Sequence, residues 1–304
     1  MSSIYVAGHN GLVGSALVRQ LTIRNQSWIG AARSELDLLD RKQVFEYLHT
    51  HKPAAVIIAA AKVGGIVANN TFPVEFLSEN IRISSNLLDA CHDANIERVL
   101  FLGSSCIYPR MSPQPIREEY LLTGPLEPTN EAYALAKISG LKLVQSYRRE
   151  YGKHWISAMP TNLYGPGDNF DLENSHVLPA TIRKFATAVV KKEKKVEMWG
   201  TGSPRREFLH VDDLAKACLH LLEKYDDDVA INVGSGEDVE IKELALIVAN
   251  AIGFDGEIYW DTTRPDGTPR KLLDVSKIKA TGWAPTIDLA TGISDLIDWY
   301  YNNI

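Results

Sequence analysis

Three cysteines in 304 residues, Cys91, Cys106 and Cys218, are too few and too scattered for a disulfide framework or a zinc site. A reducing compartment is expected from that scarcity. Apolar runs are short, and none approaches the ~18 residues that a membrane-spanning helix requires. Cationic excess is lacking too: 32 Lys and Arg against 38 Asp and Glu leave a formal net charge of −6. That balance argues against a protein that coats nucleic acid, although a few local cations would suffice for an anionic small ligand. There is no internal repeat and no low-complexity tract. The first strand pattern, Ile4-Tyr5-Val6-Ala7, starts almost at the initiator Met and leaves no room for a cleaved leader. The expected location is the cytoplasm.

With 45% hydrophobic and 23% charged residues, the chain has globular composition and the length for one large or two smaller domains. Runs at 4–7, 28–32, 54–60, 98–103 and 154–159 are apolar almost throughout, as strands covered on both faces should be. Between them, 12–24, 40–50, 73–94 and 130–151 repeat apolar residues every three or four positions. Pro73 suits a first helical turn, and Thr129 or Asn130 suits a cap. Such alternation predicts a doubly wound parallel sheet of the Rossmann type. Past residue 165 the rhythm changes. Helices fit 177–190, 212–224, 240–252 and 288–303, and strands fit the segment ending at Trp199, 206–210 and 230–233. The expected division is a dinucleotide-binding domain over 1–165, with part of 206–233 returning to it, and a smaller α/β substrate domain over 166–304. The run Lys191–Lys195 reads as a solvated helix end.

Gly8-His9-Asn10-Gly11-Leu12-Val13-Gly14 follows the first strand and opens the first helix. Glycines there allow a tight turn and close backbone approach to a pyrophosphate, which helix N–H groups can hold. Arg33 ends the second strand where NAD-binding proteins usually carry an acid, so it points to the 2′-phosphate of NADP. Tyr133 and Lys137 stand four apart on one helix face, and the ammonium is expected to lower the phenol pKa. Ser104 and Ser105 lie at the end of the fourth strand. Read in isolation, Cys106 is a packing residue and His176 a capping one.

The glycine turn, the Ser after the fourth strand and Tyr133-x-x-x-Lys137 together resemble the extended short-chain dehydrogenase/reductases. Longer strings narrow the match: Ala59–Ile66, Gly103–Pro109, Pro160–Pro166, Asn174–Val177, Arg206–Asp213 and Pro265–Lys271 look like the members of that family that form GDP-L-fucose. The resemblance implies an NADPH-dependent enzyme acting on GDP-4-keto-6-deoxy-D-mannose, epimerising C3 and C5 and then reducing the C4 ketone. It implies Ser104, Tyr133 and Lys137 in reduction, Cys106 as epimerisation base and His176 as the opposing acid. NADP(H) would contact Gly8 to Gly14, Arg33, Leu102, Gly103, Lys137, Pro160, Thr161, Asn162, Leu163 and His176. Substrate would meet Lys184, Trp199, Arg206, Asp266 and Lys271, with Lys184 standing where Arg is familiar. A homodimer is implied, through the helices at 73–94 and 130–151; no metal is. Cys91 and Cys218 keep the packing reading. Ser105-Cys106 replaces the Asp-Glu pair of 4,6-dehydratases. Two alternatives remain at this point: a related GDP-sugar reductase or epimerase, and a non-catalytic NADP sensor on the same fold.

Overall fold

The computed structural model describes residues 3–172, 175–264 and 266–304. Asn174 and Pro265, which belong to two of the strings above, lie outside the described residues.

The first half alternates strand and helix in chain order: β1 (Ile4–Ala7), α1 (Leu12–Ile23), β2 (Trp28–Ile29), α2 (Arg41–His51), β3 (Ala55–Ile58), α3 (Ile66–Thr71), α4 (Pro73–Asp93), β4 (Arg98–Leu102), α5 (Glu131–Tyr151) and β5 (Ile156–Pro160). The second half continues with β6 (Asn162–Tyr164), α6 (Val177–Lys191), β7 (Lys195–Trp199), β8 (Arg205–His210), α7 (Val211–Lys224), β9 (Ile231–Val233), β10 (Asp238–Glu240), α8 (Ile241–Ile252), β11 (Glu257–Asp261), β12 (Arg270–Lys271), α9 (Ser276–Ala280) and α10 (Leu289–Asn303).

Six strands form one parallel sheet in the order β2-β1-β3-β4-β5-β9. β1, β3, β5 and β9 are buried at every residue because helices cover both faces, which is why their sequence is continuously apolar rather than alternating. This is a Rossmann-like α/β fold. Of residues 206–233, Ile231–Val233 joins this sheet, whereas β8 is the centre of another, flanked by antiparallel β10 and by parallel β12 and β6. β7 and β11 pair separately. A second apolar core, with Tyr164, Phe185, Phe208, Val248 and Ile293, packs beneath these short strands.

Some expectations were too long. The strand expected at 28–32 stops at Ile29, because Gly30 turns against the His9 ring; a Cβ there would lie 2.6 Å from that ring. The run at 54–60 stops as strand at Ile58 and leaves the sheet to form the cofactor edge. Neither expected cap acts on α5: Asn130 stands at the cap position without a side-chain bond, and the Thr129 hydroxyl donates to Glu127 instead, at 3.3 Å. Pro73 does begin α4, and Lys191–Lys195 is exposed.

α5 carries Tyr133 and Lys137, so its seat on the sheet matters for everything that follows. Gly140 makes that seat close: a Cβ added there would sit 2.4 Å from the Phe101 ring of β4. Overpacking of this kind typically costs about 1–3 kcal/mol. Gly140→Ala is therefore expected to lower unfolding stability by about that amount, read as a lower urea midpoint at unchanged slope. An unchanged midpoint would show that the helix moves aside freely.

Candidate active site

The sheet order reverses next to β1, and ligands of open α/β sheets bind outside the C-terminal strand ends at such a point. There the turn after β1 has Gly8 at φ 86°, a backbone that L side chains rarely adopt, and the Gly11 N–H donates to the Gly8 carbonyl at 3.0 Å. A Cβ on Gly14 would come within 2.0 Å of that same carbonyl oxygen, so α1 starts pressed against the turn. Gly11 occupies the cap position and offers no side chain, which leaves the first N–H groups of α1 for an anion. His9 fills the space beside Gly30 and Trp28, with its Nδ1 buried and without a partner; Asn10 and Arg33 are exposed. These residues fit a dinucleotide. Leu102 and Gly103 end β4 at the same edge, and Pro160, Thr161, Asn162 and Leu163 run past the end of β5. Thr161 and Asn162 are tethered through their side chains to the Glu207 carbonyl, at 3.4 and 2.8 Å.

Ser104 follows β4 and caps a single turn at Ser105–Ile107. Its hydroxyl oxygen accepts twice from Cys106, from the backbone N–H at 3.3 Å and from the thiol at 2.8 Å. Both lone pairs are then used, and the Ser104 proton is left to donate into the cleft. From α5, the Lys137 ammonium donates to the Leu102 carbonyl at 2.8 Å while lying 5.8 Å from the Tyr133 ring centroid. Burial lowers Lys137 to about 8, the nearby Cys106 pulling the other way. Tyr133 corrects an expectation: burial pushes its phenol well above the ordinary value, with Cys106 adding to the rise. Burial outweighs the ammonium, whose hydrogen bond goes to the Leu102 carbonyl.

His176 precedes α6 at the cap position without capping it, so its imidazole is open to the cleft. The surrounding protein lowers its pKa, and the Lys271 charge lowers it further. Lys271 is itself lowered by burial, with Cys106 opposing that fall and Arg206 adding to it. Charge interactions thus link Cys106 to Tyr133, Lys137 and Lys271, and Lys271 to His176 and Arg206, with Ser104 bonded to Cys106. Arg206 and Lys271 are register partners on β8 and β12. Farther out, Trp199 is 58% exposed at the end of β7, with Lys184 Nζ 5.5 Å and the Arg264 guanidinium 5.0 Å from its ring centroid. A separate cavity of about 770 Å³, lined by Arg205, Lys242, Phe254 and Trp260 among others, holds none of the catalytic candidates.

Two features escaped the sequence reading. Asp266 is engaged within the protein: its carboxylate accepts from the Thr201 N–H at 2.9 Å and the Thr201 hydroxyl at 2.7 Å. It ties the segment that begins at Asp266 to the turn after Trp199. Arg264, just before it in sequence, was not singled out, because an Arg in a Pro- and Gly-containing stretch carries no periodic signal. Among the described residues no cluster suits a metal ion.

A family model described as the NAD dependent epimerase/dehydratase family matches residues 4–234. The chain belongs to this family. Within it, the chain is 53% identical over 304 residues to a protein of Arabidopsis thaliana named putative GDP-L-fucose synthase 2, covering 100% of this chain and 93% of that one. It is 47% identical to the GDP-L-fucose synthase of Escherichia coli K12, covering 99% and 97%. A solved GDP-L-fucose synthetase from Naegleria fowleri bound to NADP superposes with a TM-score of 0.92 at 28% identity, over 99% of this chain and 94% of that one.

The lowered Lys137 pKa has a kinetic consequence. The ammonium is the form that can support a phenolate at Tyr133, and it is lost as pH rises through about 8. Single-turnover reduction should therefore decline above that pH, and Lys137→Met should be slow and flat across the same range. A decline that survives in Lys137→Met would assign it to another group.

Proposed function

We propose that this protein is an NADPH-dependent enzyme that converts GDP-4-keto-6-deoxy-D-mannose into GDP-L-fucose, inverting C3 and C5 and then reducing C4. The observation that carries the reading is the Ser104 hydroxyl, which accepts both bonds from Cys106 and so aims its own proton at a substrate oxygen beside a thiol. The curated relatives of that name cover nearly the whole chain, and they support the same substrate.

With the C4 carbonyl at Ser104 and Tyr133, negative charge that develops on O4 meets two hydroxyl donors. The C3 and C5 protons flank that carbonyl and are acidified by it. Cys106, as the thiolate, takes the C3 or C5 proton while the His176 imidazolium delivers one to the opposite face, and proton exchange with solvent resets both groups before the second inversion. Burial and the Lys271 charge lower the His176 pKa, which leaves less of the imidazolium but makes it a stronger proton donor where it forms. When bound, NADPH supplies a hydride to C4. Tyr133, kept protonated by its burial, gives its proton to O4, and the Lys137 ammonium faces the phenolate that remains. Arg33 would take the 2′-phosphate, with the α1 N-terminus on the pyrophosphate. Arg206 and Lys271 receive the GDP diphosphate. Lys184 serves as a point charge without the fork of an Arg, and Trp199 forms a pocket wall.

Two finer statements complete the reading. The chain acts in the cytoplasm, a setting that suits three free thiols, and among the described residues no helix is long and apolar enough to cross a membrane. It acts as a homodimer: Val74 and Ile81 stand exposed one heptad apart on α4, beside exposed Leu135 on α5. Light scattering should give twice the chain mass, and Ile81→Glu with Leu135→Glu should give the monomer mass. A monomer in the parent protein would remove this assignment.

Separating the two chemistries tests the function itself. In deuterated water the parent enzyme should place solvent deuterium at C3 and C5 of the sugar. Cys106→Ser should lose most of that label, by on the order of 10²-fold in exchange rate, yet still consume NADPH slowly on the unepimerised ketone. Undiminished label at both carbons would return Cys106 to a packing role.

A further inference from the structure

Glu207 follows Arg206 on β8, and it is 0% exposed. A carboxylate so deep normally faces a cation, but what holds this one is hydrogen bonding. One oxygen accepts the Gly236 N–H at 2.7 Å, and the other accepts the Leu273 N–H at 3.0 Å. Burial pushes its carboxyl up, and these N–H donors oppose that rise. Such a group is costly to bury unless its bonds do something that an apolar side chain could not.

The bond to Leu273 is one of several on a short stretch. The Leu272 N–H donates to Gln114 Oε1 at 2.9 Å, and the Leu272 carbonyl accepts from the Ile116 N–H at 2.7 Å. The Asp274 N–H donates to the Ile116 carbonyl at 2.8 Å, and its carbonyl accepts from Asn232 Nδ2 at 3.2 Å. This stretch starts directly after Lys271, while Glu207 starts directly after Arg206. The Glu207 carboxylate therefore fastens β12 to β8 at the point where their paired residues present two cations to the cleft. Like charges side by side repel, and a strand of two residues has little ladder of its own to resist that.

We infer that Glu207 is a positioning residue for substrate: its carboxylate holds Lys271 in register with Arg206, so that both cations meet the diphosphate of the nucleotide sugar together. This rests on the substrate roles given above to Arg206 and Lys271. The side chain acts mainly on the substrate half. On the cofactor half the Thr161 side chain also meets the carboxyl, but Thr161 and Asn162 both reach the backbone carbonyl of Glu207, which a side-chain substitution leaves in place.

Glu207→Gln keeps shape but turns an acceptor into an amide donor facing an N–H. With GDP-4-keto-6-deoxy-D-mannose as the probe, KM should rise on the order of tenfold, the scale of one misplaced charged contact. The dissociation constant for NADPH should move far less than KM, and kcat should also change less than KM. Gln114→Ala, which releases the Leu272 N–H from the other side, should raise KM by a smaller factor. In a Lys271→Met background, Glu207→Gln should add little, because the group it positions is gone. KM effects that multiply in the double variant would overturn the inference, as would an unchanged KM in both Glu207→Gln and Gln114→Ala. So would parallel losses of NADPH and substrate binding, which mark a purely structural role. If Lys271→Met and Arg206→Met both leave KM unchanged, the substrate reading itself is what fails.

Discussion

One hydrogen bond sets the geometry on which the rest depends: the buried ammonium of Lys137 on the carbonyl of Leu102, the last residue of β4. An ammonium in apolar surroundings must find an acceptor, and the strand end supplies one that points out of the ladder. The bond joins α5 to the strand whose next residues are Gly103 and Ser104. Gly140, one turn further along, removes the side chain that would hold the helix off Phe101. The distance between phenol and serine is thereby fixed by backbone packing, not by contacts among the reacting groups.

That arrangement also explains an apparent conflict in the electrostatics. Tyr133 is pushed up and Lys137 pulled down by burial, so both groups lean towards their neutral forms. For a residue that must surrender a proton to an oxygen carrying new negative charge, a protonated resting state is the useful one. Arg206 and Lys271 are lowered by burial in the same sense as Lys137, and on the proposed reading an anionic substrate would offset that cost.

Much of the fold was legible because doubly covered strands must be apolar throughout, and because four long amphipathic helices separate them. The parts that were not legible are short or depend on distant partners. α3 spans six residues, too few for a helical period to show, and β10 and β12 span three and two. Strand β2 was overestimated because the ring of His9 stops it, and nothing near Gly30 in sequence announces that contact. At the site, motif spacing singled out Ser104, Tyr133 and Lys137 as candidates. Asp266 was found by its string but not its engagement with Thr201, which lies 65 positions away. The phenol shift was misjudged because spacing on a helix says which side chains share a face, not how deeply they are buried.

β5 ends at Pro160 and β6 begins at Asn162, so at this crossing Thr161 alone links the two sheets, and the chain crosses again from β8 through α7 to β9 and from β9 to β10. Thr161 is buried and its hydroxyl is tied to Glu207, which leaves it little freedom to turn. The chain therefore lacks, at this crossing, the slack that lets two-domain enzymes swing shut around a substrate. Its cleft works more as a fixed jig than as a jaw. In a reaction with two inversions and a reduction at adjacent carbons, that rigidity keeps one sugar in the same frame throughout, and successive steps differ only in which proton moves.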